Sequence, residues 1–290
     1  MQHPPTDYED LIRLIHDRYD DFSKTYQKIA VYLTQNPNDV AVHSVNSIGD
    51  RCGIHPSSFV RFAQALGYKG FKELQGVYQK RLSTAAPGIE ARIKALEGEL
   101  ANRSDQREFS FLHELVLRDI TSLKLLLEDI TPEQLVQAVD LLHQADTVFL
   151  LGQMRSEPVV QLMRYVLTML GRRTVLLDPS GGLASYVAKT ATGRDLLFAV
   201  SFRFYAKEVV DITEDLGARG VPVVAISDTT LSPLAKHADV LLAVPEHEYT
   251  FSRSLAAPMC LAQALAVALA ARVQKSKEGT PRIPTVTARD

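Results

Sequence analysis

The chain has 290 residues, 46% of them hydrophobic and 23% charged, with a formal net charge of -2. That length supports two domains with separate cores, and the composition excludes disordered, collagen-like and disulfide-rich classes. The two cysteines, Cys52 and Cys260, match no CxxC or metal spacing and read as small core residues, so neither a redox centre nor a metal site is expected.

The first twenty residues are acidic and amphipathic, unlike a secretory leader. From Tyr8 to Leu82 the pattern is helical. Ile12, Ile15 and Tyr19 form one stripe, followed by Ile29, Leu33 and a helix stop at Asn36-Pro37. A short helix from Ser47 to Cys52 then meets Gly53, which suits the left-handed position that ends a helix. Pro56 suits the first turn of a second helix, which runs to Leu66 and stops at Gly67. Two helices joined by a short turn containing glycine form a helix-turn-helix. The second helix presents Ser57, Ser58 and Arg61, leaving Phe59, Val60, Ala63 and Leu66 for the interior. Small hydroxyls and an arginine at a helix N-terminus suit phosphate oxygens and guanine edges. Between Ala41 and Ala85 six basic residues (Arg51, Arg61, Lys69, Lys72, Lys80 and Arg81) face two acidic ones, a local net of +4 in a chain of net -2. Such a patch points to a polyanion.

Residues 83–108 read as a linker: a small-residue and proline stretch, then a charged segment without a clear apolar face. Helices are expected at Phe109–Glu128 and Pro132–Gln144, with Thr131 as N-cap. Thereafter short apolar runs alternate with helical patterns. The strands are 147–151, 174–177, 195–200, 222–227 and 240–244, and the helices begin near Glu157, Leu183, Ala206, Leu231 and Ser254. Continuous apolar strands alternating with helices imply a parallel sheet covered on both faces. The expected architecture is therefore an all-α helix-turn-helix domain (1–82) followed, at 109–275, by an α/β doubly wound, flavodoxin-like five-stranded sheet, with a tail at 276–290. The Ala-rich run after Arg253 reads as a buried or dimer-face helix rather than a membrane span.

In doubly wound sheets ligands sit beyond the carboxyl ends of the strands, where the winding reverses. Two loops fall there. Gly152-Gln153-Met154-Arg155-Ser156 follows the first strand and Ser201 through Glu208 follows the third, each opening a helix whose free N–H groups attract anions. Arg155, Arg203 and Lys207 add positive charge, and Tyr205 and Phe204 are placed to close over a ligand.

The segment FSKTYQKIAVYLTQNPNDVAVHSVNSIGDRCGIHPSSFVRFAQALGYKGFKELQ resembles the helix-turn-helix domain of RpiR/MurR-type bacterial transcriptional regulators. VFLLG, LLDP, LLFAVS, GARGVPVVAISD and SPLAKHADVLL resemble the sugar isomerase (SIS) domain that those regulators carry as effector sensor. The resemblance covers nearly the whole chain in the family's domain order. It implies DNA contacts at Ser57, Ser58 and Arg61, supported at the backbone by Lys69 and Lys72. It also implies effector contacts at Gly152, Arg155, Ser156, Ser201, Arg203, Tyr205, Lys207 and Glu208. The family's Gly-x-Gly-x-Ser loop keeps Gly152 and Ser156 but has Met154 at the second glycine. Its Ser-x-Ser-Gly-x-Thr-x-Glu phosphate loop keeps Ser201 and Glu208, while Arg203, Phe204 and Ala206 replace the second Ser, the Gly and the Thr.

The resulting expectation is a cytoplasmic regulator, not an enzyme and without cofactor, bound to double-stranded DNA at an inverted repeat. It would work as a homodimer or homotetramer, away from membranes. Its effector is a small anionic, carbohydrate-related metabolite, and the altered loop means that a sugar phosphate is not required. Two alternatives stand beside it. One is a sugar-phosphate isomerase using a base among Glu157, Glu208, Glu246 and His247, and the other is a dimerising SIS module without ligand.

Overall fold

The computed structural model describes residues 4–85, 107–203, 205–244 and 254–278. They form two compact units. The first is helical: α1 (Tyr8–Asp17), α2 (Lys24–Gln35), α3 (Pro37–Val42), α4 (Val45–Cys52), α5 (Pro56–Ala65) and α6 (Phe71–Ala85). Asn36-Pro37 is more than a stop. Asn36 ends α2 and Pro37 occupies the first turn of α3, where a missing N–H costs nothing. The core gathers Leu11, Ile15, Ile29, Leu33, Ile48, Phe59, Phe62 and Tyr78, all buried. Val60, expected inside, is only half-buried, and Phe62 takes the deeper position instead.

The second unit holds α8 (Pro132–Gln144), α9 (Glu157–Met169), α10 (Ala184–Ala188), α11 (Lys207–Ala218) and α12 (Ala256–Glu278) around strands β1 (Thr147–Gly152), β2 (Arg173–Leu176), β3 (Leu196–Val200), β4 (Val223–Ser227) and β5 (Val240–Ala243). A long helix, α7 (Arg107–Asp129), precedes α8. The strands are all parallel, in the order β2-β1-β3-β4-β5. This is the flavodoxin-like order, with its switch between β1 and β3. Alternate residues feed the two faces. Val148, Leu150, Phe198, Val200 and Ile226 pack with α8, α9 and α12, while Phe149, Leu151, Leu197, Ala199 and Ala225 pack with α10 and α11.

Arginines tie helix ends in both units. Arg18 donates to the Ala65 carbonyl at the end of α5 (2.8 Å), and Arg172 donates to the His143 and Ala145 carbonyls at the end of α8 (3.0 and 2.5 Å). Each supplies a donor and a positive charge where a helix leaves its last carbonyls unpaired. Thr131 caps α8 as expected, in a reciprocal box with Gln134.

Two expectations need correction, the helix at Leu231 and the burial of the cysteines. The segment from Leu231 to His237 is a run of turns, because few residues separate β4 from β5 and Pro233 interrupts them. The Ala-rich helix α12 takes the buried alternative of its expectation: Ala257, Leu261, Leu265, Ala266 and Leu269 are all buried in the sheet's core. Its length and apolar composition would suit a membrane span, but that apolar face is already covered. Cys260 is exposed and is not a core residue, while Cys52 is half-buried and packs at the edge of the helical unit's core. The proposed linker falls mostly outside the described residues, as do Phe204, Glu246, His247 and the tail beyond Glu278.

Candidate DNA-binding and effector sites

Helix α4 ends at Gly53, whose φ of 64° lies in the left-handed region that glycine enters without steric cost. The chain turns through Ile54, and His55 caps α5, its Nδ1 accepting from the Ser57 amide at 3.3 Å. The closeness of α4 to α5 depends on Gly49, which sequence reasoning missed. A Cβ there would lie 2.6 Å from the Ile54 carbonyl oxygen and 3.2 Å from Pro56 Cγ. On its inner side α5 is anchored by Phe62, packed edge-to-face against Phe22 and Tyr26 with ring centroids 5.2 and 5.3 Å away. Helical spacing then leaves Ser57, Arg61 and Gln64 exposed in one line. Ser58 is half-buried. Gln64 stands seven residues beyond Ser57, and the i+7 repeat would have picked it out.

Lys69 and Lys72 are exposed at the start of α6, where the Lys69 amide donates to the Glu73 carboxylate at 2.5 Å. Arg51 is partly withdrawn from the basic patch, because its guanidinium pairs with Asp39 at 2.6 Å. The positive surface beside α5 therefore rests on Arg61, Lys69 and Lys72.

At the sheet's switch point Gly152 ends β1. A Cβ on it would meet Val160 at 3.0 Å and the Ser156 carbonyl at 3.2 Å, so the turn into α9 needs glycine. Met154, at the position of the family's second glycine, keeps a positive φ of 54° with its side chain out in solvent. A methionine held in the left-handed region carries a steric cost of roughly 1–2 kcal/mol that glycine would not. Ser156 and Ser201 are buried.

The two loops meet. Gln153 donates to the Glu208 carboxylate at 2.6 Å, joining the start of α9 to the start of α11. The Arg155 guanidinium lies 4.7 Å from the centroid of the buried Phe202 ring. Arg203 is half-buried in the same loop. Tyr205 donates its hydroxyl to Asp228 beyond β4 (2.8 Å), and Ser227 donates to the Ser201 carbonyl (2.7 Å). Lys207 turns along α11 to Asp211 at 2.5 Å. A cavity of about 550 Å³ opens between α10 and α11, with Lys189, Lys207, Glu208 and Asp211 on its walls. Glu208 therefore borders both the loop junction and this cavity. Gln153, Phe202 and Asp228 are the contacts that sequence reasoning missed. Asp228 was discoverable, since it leaves a strand at the carboxyl edge, whereas nothing local singled out the other two.

Residues 9–85 match the helix-turn-helix domain of the rpiR family, and residues 141–268 match the SIS domain. The chain belongs to the RpiR-type transcriptional regulators that couple these two domains, a class of regulators and not of enzymes. Among its relatives is the uncharacterized HTH-type transcriptional regulator YfhH of Escherichia coli K12, 26% identical over 252 residues, covering 87% of this chain and 86% of the relative. The sugar isomerase domain of an RpiR transcription factor from Sphaerobacter thermophilus is 27% identical with a TM-score of 0.54, covering 56% of this chain and 90% of that one. The NanR protein of Vibrio vulnificus, complexed with ManNAc-6P, shares the fold at a TM-score of 0.54 and 21% identity, covering 92% and 93% of the two chains.

Proposed function

We propose that this protein is a cytoplasmic regulator that reads an inverted repeat in double-stranded DNA as a symmetric oligomer and changes its affinity when a small anion enters the SIS unit. The observation that carries the reading is the exposed line of Ser57, Arg61 and Gln64 on a helix whose opposite side is locked into the core. A helix so presented fits the major groove, and two-fold pairing of the protein calls for half-sites spaced by whole turns of DNA. Its domains are taken as 1–82 for DNA binding and 109–275 for sensing.

The effector site is assigned to the junction of the Gly152–Ser156 and Ser201–Glu208 loops, with Arg155 and Arg203 as guanidinium donors. Guanidinium groups grip carboxylate and phosphate alike through paired hydrogen bonds, so the lost hydroxyls do not remove anion binding. The NanR complex supports a phosphosugar as the first compound to try. A second reading, a dimerising SIS module without ligand, is favoured by the loop groups already satisfied internally, Gln153 with Glu208 and Tyr205 with Asp228.

The test is fluorescence anisotropy on DNA from upstream of the gene, at several salt concentrations. Arg61→Ala should cost roughly 1–3 kcal/mol on the specific site, and Lys72→Ala should lower the salt slope by about 1. Unchanged affinity in Arg61→Ala sinks the DNA-reading assignment. A panel of sugar phosphates and organic acids that shifts neither melting temperature nor DNA affinity favours the ligand-free module, and a response that survives Arg203→Ala removes that residue from the site.

A further inference from the structure

Helix α7 is apolar on both sides. Its half-buried side carries Phe111, Leu115 and Leu125 together with the Glu114–Arg118 ion pair (2.8 Å). Its outer side presents Phe109, Leu112, Val116, Leu117, Ile120 and Leu127, between 44% and 82% exposed. A surface helix normally turns charge to water, and an apolar stripe left exposed along a helix marks a surface that something covers. The outer positions 109, 112, 116, 120 and 127, with the partly covered Leu123, repeat every 11 residues. An 11-residue repeat keeps a stripe nearly parallel to the helix axis, so one straight partner can follow it from end to end.

We infer that this stripe is covered by the same helix of a second copy, packed antiparallel about a two-fold axis on the outer side, at a level midway between Val116 and Ile120. The inference rests on the symmetric oligomer proposed above and supplies its contact surface. The spacing is nearly self-complementary: Phe109 falls opposite Leu127 of the second copy, and Val116 opposite Ile120, as an isologous interface requires. Charge selects the direction. A parallel pair would set Lys124 against its own copy, whereas the antiparallel pair sets it opposite Leu112, its ammonium free to reach water. The 23 residues give a strip about 34 Å long and about 10 Å wide, so the helix pair covers about 700 Å² over both copies, about two thirds of the roughly 1,000 Å² that a specific interface needs, and surface beside the helix has to supply the rest.

Full-length protein should sediment as a dimer, or a larger even-numbered assembly, at low micromolar concentration. Val116→Lys combined with Ile120→Lys should raise the dissociation constant by about 100-fold or more while leaving far-ultraviolet circular dichroism unchanged. Cysteine pairing tests the same surface without adding charge. In a Cys52→Ser/Cys260→Ser background, Val116→Cys protein mixed with Ile120→Cys protein should give the mixed disulfide on oxidation, and either variant alone should give little. A monomeric wild type, or an oligomer indifferent to the lysine pair, overturns the surface. Disulfides formed by each single variant with itself overturn the antiparallel direction. The lysine variant should still bind an isolated half-site with the wild-type salt slope, so failure of the interface remains distinct from failure of the DNA-binding reading.

Discussion

Gly49 and Gly76 both lie inside helices, yet alanine at the two positions should move stability in opposite directions. Alanine is favoured over glycine in a helix interior by about 1 kcal/mol. At Gly76 in α6 a Cβ meets nothing within 4 Å, so that gain is realised nearly in full. At Gly49 the same atom would stand 2.6 Å from the Ile54 carbonyl oxygen, which is backbone of the turn and cannot rotate aside. That carbonyl belongs to the residue whose amide closes the turn onto Gly49 at 3.0 Å, so relief displaces the turn itself. Overpacking costs about 1–3 kcal/mol, and a contact this short with backbone belongs in the upper half of that range, leaving a net loss of about 1–2 kcal/mol once the helical gain is subtracted. For a domain of this size each kcal/mol moves the midpoint by roughly 4–8 °C. Thermal melts of the full-length chain, following the transition of the helical unit, should show Gly49→Ala falling and Gly76→Ala rising. Because α5 must shift to admit the methyl group, Gly49→Ala should also weaken specific DNA binding more than Gly76→Ala does. A Gly49→Ala protein as stable as the wild type would show that the α4–α5 contact does not set the position of α5.

Met154→Gly should leave stability unchanged or raise it by up to about 1 kcal/mol, since relief of the left-handed backbone is partly offset by glycine's greater freedom when unfolded. Met154→Val should lower it, because a β-branched residue tolerates positive φ worse, and a valine variant melting with the wild type would contradict the φ of 54°. Of the two thiols, exposed Cys260 should react first with a disulfide reagent and Cys52 much later, since the Cys52 Sγ–H donates to the Ile48 carbonyl at 2.8 Å and burial pushes its pKa up. The stability linked to that proton is complete below the free-thiol pKa of about 8.5 and declines as pH rises from there through the folded value, and a urea midpoint independent of pH in both wild type and Cys52→Ser would refute the linkage.

What the sequence determined alone was everything carried by a local period or a terminating residue. Alternating strands and helices required a parallel, doubly wound sheet, and Gly53 with Pro56 set the helix-turn-helix, because φ restrictions and side-chain periodicity act within a few residues. The loops at the carboxyl edge followed from the same alternation. Only the tertiary structure decided which groups meet across those loops. The Gln153–Glu208 bond spans 55 positions, the Tyr205–Asp228 bond 23, and the Arg155–Phe202 contact joins the loops that follow two different strands. Burial was equally beyond local reading. The apolar surplus of α12 is largely absorbed by its own sheet, while much of that of α7 faces outward, although in each helix the sequence shows only that leucines and other apolar residues exceed what one face can hold. The reason is physical: a hydrophobic period states that a face must be covered, and only the packing of the whole chain states by what.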